Sequence, residues 1–245
     1  MTKTSIIIPT YNALGLLQTC IESIRAYTPE AYEIIVVDNA SDDGTADYCR
    51  TQGITFLSLP ENRGFPVACN LGLLLASGDE LLLLNNDVVV SRGWLHNLKA
   101  ALYSSPAVGI VGPVTNYASG RQQVPVLYEG LEGYHQAAVT ANLPNPAKWV
   151  ETRRLVGLCF LFKRELLDAI GLLDERYSPG HYEDDDFCYR ARLKGYRLLI
   201  AGDCLVHHEG SASFKEIYST GLQELVERNR RMFMEKWQVN PVDFF

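Results

Sequence analysis

Four consecutive carboxylates, Glu183-Asp184-Asp185-Asp186, stand between His181-Tyr182 and the segment Phe187-Cys188-Tyr189-Arg190. Like charges in a row repel, so such a cluster asks for a helix N-terminus, a cation, or a reaction that needs a base. The positive end of a helix dipole favours each acid by about 0.3–1 kcal/mol with no function attached, which explains one or two of them. Two further carboxylates end apolar runs: Asp38 follows Glu33-Ile34-Ile35-Val36-Val37, and Asp87 follows Leu81 through Asn86. Acids at three strand or helix ends imply one polar crevice on an α/β sheet, because ligands of such sheets sit beyond the carboxyl ends of the strands.

The elements that must position these acids are legible from periodicity. Ser5 to Ile8 reads as a buried parallel strand stopped by Pro9, and Leu14, Leu17, Ile21 and Ile24 recur at helical spacing. Glu33 to Val37, Ile54 to Leu59, Glu80 to Leu84 and Val108 to Val111 read as further strands. Helices are expected at Gly64 to Ser77, with Pro66 in the first turn, and around Trp94, Leu98 and Leu102. Strands and helices alternating in this way predict an α/β fold, a doubly wound and mostly parallel sheet with helices on both faces. Thr115 to Lys148 has little periodicity and reads as loop or variable insert. Regular pattern returns at Leu155 to Leu167. The acidic cluster then opens a helix ending near Gly195, and Leu198 to Ile200 and Cys204 to Val206 read as two short strands before His207-His208. Leu222, Val226, Phe233 and Trp237 mark a C-terminal amphipathic helix.

Bulk composition narrows the classes. At 245 residues, 47% hydrophobic and 21% charged, the chain is an ordinary globular sequence long enough for a large core. A net charge of −7 argues against a broad nucleic-acid footprint. The six cysteines are widely spaced with no C-x-x-C pair, so buried free thiols and a cytoplasmic setting are expected. No signal peptide is read at the N-terminus, and no apolar run approaches the ~20 residues that span a bilayer.

Seven motifs in order resemble the family 2 glycosyltransferases, which have the nucleotide-diphospho-sugar transferase (GT-A) fold. They are Ile8-Pro9-Thr10-Tyr11-Asn12; Val37-Asp38-Asn39-Ala40-Ser41-Asp42-Asp43-Gly44-Thr45; Glu61-Asn62-Arg63-Gly64-Phe65 with Ala68-Cys69-Asn70-Leu71-Gly72; Asn85-Asn86-Asp87; Gly157-Leu158-Cys159 through Arg164-Glu165; Gly171-Leu172-Leu173-Asp174-Glu175; and the acidic cluster with His207-x-x-Gly210-x-Ala212-Ser213. The texture is similar to that of bacterial enzymes assembling surface polysaccharides, rhamnosyltransferases among them. The resemblance implies one glycosyltransferase domain over 1–245. Residues 1–113 would form the nucleotide-sugar half, 114–215 the acceptor and catalytic half, and 216–245 a C-terminal helix.

The same resemblance implies roles. Asp38 would accept the N3–H of uracil or thymine, so the donor is a UDP-sugar or dTDP-sugar. Pro9, Thr10, Tyr11, Asn12, Asn39, Asp42, Arg63, Gly64 and Asn86 would line that donor pocket, with Gly157 close to the donor sugar. Asp87 stands where the family carries Asp-x-Asp, here with Asn85 in place of the first acid; it would hold Mg²⁺ or Mn²⁺ with His207 and His208. Asp184 would be the general base of an inverting transfer, and Glu183 would bind hydroxyls. Trp149, Arg153 and Arg154 could contact acceptor or phosphate. The acceptor is expected to be a saccharide or lipid-linked saccharide. Arg228, Arg230 and Arg231 on the C-terminal helix are either a solvated edge or a peripheral contact with the inner face of the plasma membrane.

Rival readings are weaker on the residues. A nucleotidyltransferase would want a glycine-rich basic loop after the first strand, where this chain has Pro9-Thr10-Tyr11-Asn12-Ala13-Leu14-Gly15. A dehydrogenase would want G-x-G-x-x-G, which is absent. A non-catalytic sugar-nucleotide-binding module, or a fragment of a larger synthase, stays open.

Overall fold

The computed structural model describes residues 2–210 and 221–244. The first half alternates as expected: β1 (Thr4–Thr10), α1 (Leu14–Tyr27), β2 (Tyr32–Asp38), α2 (Thr45–Thr51), β3 (Thr55–Ser58), α3 (Phe65–Leu75), β4 (Glu80–Leu84), β5 (Val88–Val89) and α4 (Trp94–Leu102). The second half holds β6 (Val108–Thr115), α5 (Gly130–Ala141), β7 (Trp149–Thr152), β8 (Cys159–Lys163), α6 (Arg164–Ile170), α7 (Glu183–Leu193), β9 (Arg197–His208) and α8 (Leu222–Trp237).

The strands form one large sheet in the order β3-β2-β1-β4-β8-β6-β9-β5, with β7 pairing β9. From β3 to β4 every pairing is parallel. Beyond β4 the sheet is mixed: β8 runs antiparallel to both its neighbours, and β6 and β9 are parallel to each other. The continuous parallel run of the expected sheet thus lies in its N-terminal half, with one further parallel pair, β6 and β9, beyond it.

β1 explains why that half reads as a continuous apolar run. Ile6 and Ile8 pack with Leu17, Cys20, Ile21 and Ile24 of α1, and Ile7 points the other way onto Cys69 and Leu73 of α3. A strand covered on both faces loses the polar alternation of a half-exposed one. Gly72 lets α3 lie close, since a Cβ there would stand 2.2 Å from the Ile7 side chain. All six cysteines are free and buried.

Two expectations are corrected. The segment 115–148 contains the helix α5, which buries only Tyr134 and Ala138, one turn apart, against Val89 and Leu205. The expected pair of strands at 198–200 and 204–206 is one strand, β9, whose register against β6 shifts between Pro113 and Val114. The additional residues hold Asp203, a buried carboxylate that accepts hydrogen bonds from the Trp149 indole (2.8 Å) and the Asn145 N–H (2.7 Å). That bulge carries a polar side chain inward without ending the strand.

Among the described residues no helix is long and apolar enough to cross a membrane. α8 is bolted to the domain: Phe233 is fully buried against the rings of Tyr182 and Tyr189, and Lys236 and Trp237 both donate to Asp186 Oδ1. Arg228 donates to the Ser178 carbonyl, and Arg230 and Arg231 pair with Glu227. The basic side chains of this helix are thus engaged within the protein.

Candidate active site

The ends of β1 and β2 build a pre-tied polar pocket. Asp38 closes β2, where Oδ1 accepts from the Ser41 N–H (2.9 Å) and Oδ2 from the Ser58 hydroxyl (3.0 Å). Each carboxylate oxygen keeps a free lone pair, so Asp38 retains capacity for a further donor at either oxygen. Thr10 ends β1 and its hydroxyl accepts from Asn86 Nδ2 at 2.8 Å. Asn12, at φ 44°, donates its N–H to Ser41 Oγ and accepts at Oδ1 from the Asp42 N–H. Asn39 donates to the Gly64 carbonyl and accepts from the Arg63 N–H, so the two loops are tied together. Pro9 lies within β1 opposite Val37, and the side chains of Asp42 and Arg63 are exposed at the rim. Gly64 has φ 87°, and a Cβ there would stand 2.7 Å from Pro179 Cα, so only glycine lets this loop touch the segment leading to the acidic helix.

Asp87 and His208 meet beneath that pocket. The short strand β5 pairs antiparallel with the end of β9, placing Val88 opposite His208 and Val89 opposite His207. His208 Nδ1 lies 2.8 Å from the Tyr117 carbonyl, which can only accept, so Nδ1 carries the proton. In the neutral ring Nε2 is then a lone pair, and it stands 3.2 Å from Asp87 Oδ1. Both atoms are buried without a hydrogen-bond partner, as is Asn85 Oδ1. Two acceptors that close repel unless a proton or cation lies with them. Burial disfavours the imidazolium, but Asp87 and the Tyr117 carbonyl outweigh it and raise the His208 pKa above its ordinary value. An imidazole nitrogen and a carboxylate oxygen suit a divalent cation. Among the described residues no third His, Cys, Asp or Glu joins them, so a cation there would draw its other ligands from a bound molecule and water.

His207 does not join this pair. Neighbouring side chains of a strand point to opposite faces. Its Nδ1 lies 3.0 Å from the Tyr128 hydroxyl and its Nε2 3.2 Å from Glu209 Oε1. The expectation that both histidines lie with Asp87 is corrected: only His208 does. Of the motif that follows, Ala212 and Ser213 lie outside the described residues, while Gly210 packs under the Tyr117 ring where a Cβ would come within 2.6 Å.

The acidic cluster opens α7 as expected, and its four members have different surroundings. Asp184 Oδ2 accepts from the Gly157 N–H (2.9 Å) and Oδ1 from the Asp185 N–H (2.8 Å), so the backbone fixes its orientation. A Cβ on Gly157 would touch Asp184 Cβ at 3.4 Å. Glu183 is buried with Oε2 unpaired; burial, and then the Asp184 charge, push its pKa well above the usual carboxylate range. Asp185 forms an ion pair with Arg154. Asp186 is fully buried and takes Arg190, Lys236 and Trp237. The last two acids are thus held by cations of the protein itself.

Just before α7, His181 and Tyr182 both have positive φ, 72° and 75°. Two such non-glycine residues in succession are strained and need outside support. Asn229 of α8 supplies it: fully buried, its Nδ2 lies 2.8 Å from each of the carbonyls of Tyr177, Gly180 and His181. Sequence reasoning missed Asn229, although a signal existed, since it falls on the apolar stripe of Leu222, Val226 and Phe233. A polar residue on a buried stripe must find partners.

Glu183, Asp184, Gly157, Asn85, Tyr117 and His208 line one cleft of about 600 Å³. His208 and the oriented Asp184 thus face a shared space. Known proteins agree in shape and sequence. The chain is 27% identical over 225 residues to the O-antigen biosynthesis protein RfbC of Myxococcus xanthus, covering 86% of this chain and 18% of that one. It spans less than half the length of several curated relatives. A mannosyltransferase of Pyrobaculum calidifontis, solved with GDP-mannose and Mn²⁺, superposes with a TM-score of 0.63 at 24% identity, covering 84% of this chain and 56% of that one. GalNAc-T7, solved with UDP, GalNAc and Mn²⁺, superposes with a TM-score of 0.72 at 17% identity, covering 97% and 49%. These likenesses match the expected GT-A fold, a mixed α/β domain on a large central sheet. The glycosyl transferase family 2 profile matches residues 5–171, and the chain belongs to that family.

Proposed function

We propose that this chain is an inverting, metal-assisted glycosyltransferase acting in glycan or polysaccharide synthesis, with a UDP- or dTDP-sugar as donor and a saccharide or lipid-linked saccharide as acceptor. The observation that carries the reading is one cleft lined both by Asp184, oriented by two backbone N–H groups, and by His208, whose Nε2 lies 3.2 Å from Asp87. Residues 1–113 hold the donor, 114–215 supply the acceptor side, and α8 braces the acidic helix.

Asp38 accepts the imide N–H of the base with its remaining lone pair. Thr10, Tyr11, Asn12, Asn39, Asp42, Arg63, Gly64 and Asn86 surround the nucleoside, with Pro9 shaping the wall. Asp87 and His208 are the protein ligands for Mg²⁺ or Mn²⁺. When bound, the cation neutralises the charge that grows on the departing diphosphate. Asp184 takes the proton of the acceptor hydroxyl while that oxygen attacks the anomeric carbon. The carbon–oxygen bond to the diphosphate breaks on the opposite face, so configuration inverts in one displacement. Glu183, its pKa raised by burial, is suited to donate a hydrogen bond to a sugar hydroxyl. Gly157 leaves room for the sugar next to Asp184.

Asp184→Asn tests the base. Transfer to any active acceptor is expected to fall by ~10²–10⁴-fold, the usual share of general-base catalysis, while affinity for the nucleotide stays within a few-fold. Normal turnover in that variant would remove Asp184 from the mechanism.

A further inference from the structure

We propose that a second groove, lined by arginines and neighbouring the catalytic cleft, binds the phosphate or diphosphate of the acceptor; this rests on the transferase reading of the cleft. The groove has a volume of about 620 Å³ and gathers Arg121, Arg153, Arg192 and Arg197. Its carboxylates are Glu151 and Asp243, and Glu151 is taken by Arg197 at 2.9 Å. That leaves four cations against two anions in one groove, on a chain whose net charge is −7.

The guanidinium groups are poorly satisfied. Among the described residues Arg121, Arg153 and Arg192 have no carboxylate within ion-pair distance. Their hydrogen bonds go to main-chain carbonyls at the long end of the range: Arg121 to Glu151 (3.3 Å), Arg153 to Asp243 (3.5 Å) and Arg192 to Arg153 (3.4 Å). Burial, and then the Arg153 charge, make the Arg192 cation less favourable than usual. Arg192 Cζ lies 4.6 Å from the Phe244 ring centroid and 5.7 Å from that of Tyr189. Planar, ordered guanidiniums with free donors match phosphate oxygens in the bidentate manner that ammonium groups do not.

The path to the cleft is on the same surface. Ser119, Arg154 and Val156 line both the catalytic cleft and a narrow passage, and Arg121, Thr152 and Phe244 line both that passage and the arginine groove. The hollow between them holds only about 20 Å³, so a glycan whose hydroxyl stands at Asp184 would cross over it along the surface to bring an anionic end to the arginines. The donor's diphosphate belongs elsewhere, with Asp87 and His208, so the groove serves the other substrate.

Calorimetric titration with inorganic pyrophosphate in EDTA tests this, using the intact chain, the Arg153→Gln/Arg192→Gln double variant and the corresponding Lys double variant. Pyrophosphate is expected to bind the unaltered protein, at least tenfold more weakly the Gln variant, and with a loss between the two the Lys variant, which keeps the charge without the bidentate fork. Absence of binding, or equal binding by the Gln variant, would overturn the proposal. Capture by phosphatidylglycerol vesicles through these arginines without pyrophosphate binding would make the groove a headgroup site and overturn it as well. UDP and dTDP titrations with Mn²⁺ on the same samples keep the readings apart. Their failure in the unaltered protein counts against the transferase, whereas a groove failure leaves those titrations intact.

Discussion

At the end of β2, Asp38 receives a hydrogen bond at each oxygen, and Asn12, Asn39 and Thr10 around it are tied into the same network. In the catalytic half, Glu183 Oε2 is buried without a partner, and Asp87 Oδ1 and His208 Nε2, also buried, face only each other at 3.2 Å. The first arrangement holds its shape before any ligand arrives. The second is costly as it stands, since an unpaired buried polar group loses ~1–3 kcal/mol. A pocket that recognises a rigid base gains from being pre-tied. A centre that handles changing charge needs groups whose partners come with the substrate.

The comparison can be broken at several strengths. The largest effect belongs to Asp184→Asn, which is expected to act on turnover and spare binding. Next come Asp87→Ala and His208→Ala. If these side chains hold the cation, each weakens Mn²⁺-dependent nucleotide binding by about ten- to a hundredfold, at least what loss of a supporting metal contact costs. His207→Ala on the opposite strand face should leave the same titration within twofold. Equal losses at both histidines would mean that β9 is turned differently in solution.

Asn229→Ala probes the brace beneath the acidic helix. Three carbonyls would lose their donor, at a cost of about 1–3 kcal/mol in chemical denaturation. Because the strained His181-Tyr182 turn would relax, the turnover rate is expected to fall more than nucleotide affinity. A loss of stability with unchanged turnover would confine Asn229 to a structural role.

Much of this was legible in the sequence. The strands β1, β2 and β4 and the helices α1, α3 and α7 stand where apolar period and turn residues place them, since burial on a defined face is what periodicity records. α5 was not legible, because only Tyr134 and Ala138 of its face are buried and its polar surface gives no stripe. Asp203 masked the continuity of β9, since a bulge that carries a carboxylate inward looks like a break. The adjacent His207 and His208 were read as a pair, although residues one apart on a strand cannot share a face. The unpaired atoms around Asp87 depend on register between distant strands, which one chain read in isolation does not state.

The smallest expected effect contrasts a fully satisfied carboxylate with Glu183. Burial pushes the Glu33 carboxyl up, but hydrogen bonds from Ser5, Ser77 and Lys3 bring it down to about 2. A carboxyl lowered on folding contributes stability above its ordinary pKa and loses it as pH falls toward the folded value. Glu33→Gln should therefore cost under about 1 kcal/mol at pH 7, given solvent screening, and flatten the acid limb of stability between pH ~4.5 and ~2. An unchanged acid limb would show that Glu33 is not held in this way.

The pre-tied pocket and the Asp87–His208 pair are expected to act together as one cation-assisted nucleotide site. Calorimetric titration with UDP, dTDP and GDP, each in Mn²⁺ and in EDTA, tests it most directly. The expected result is that UDP or dTDP binds in Mn²⁺ and loses most of its affinity in EDTA. Binding that is the same in EDTA, or no binding by any of the three, would contradict it.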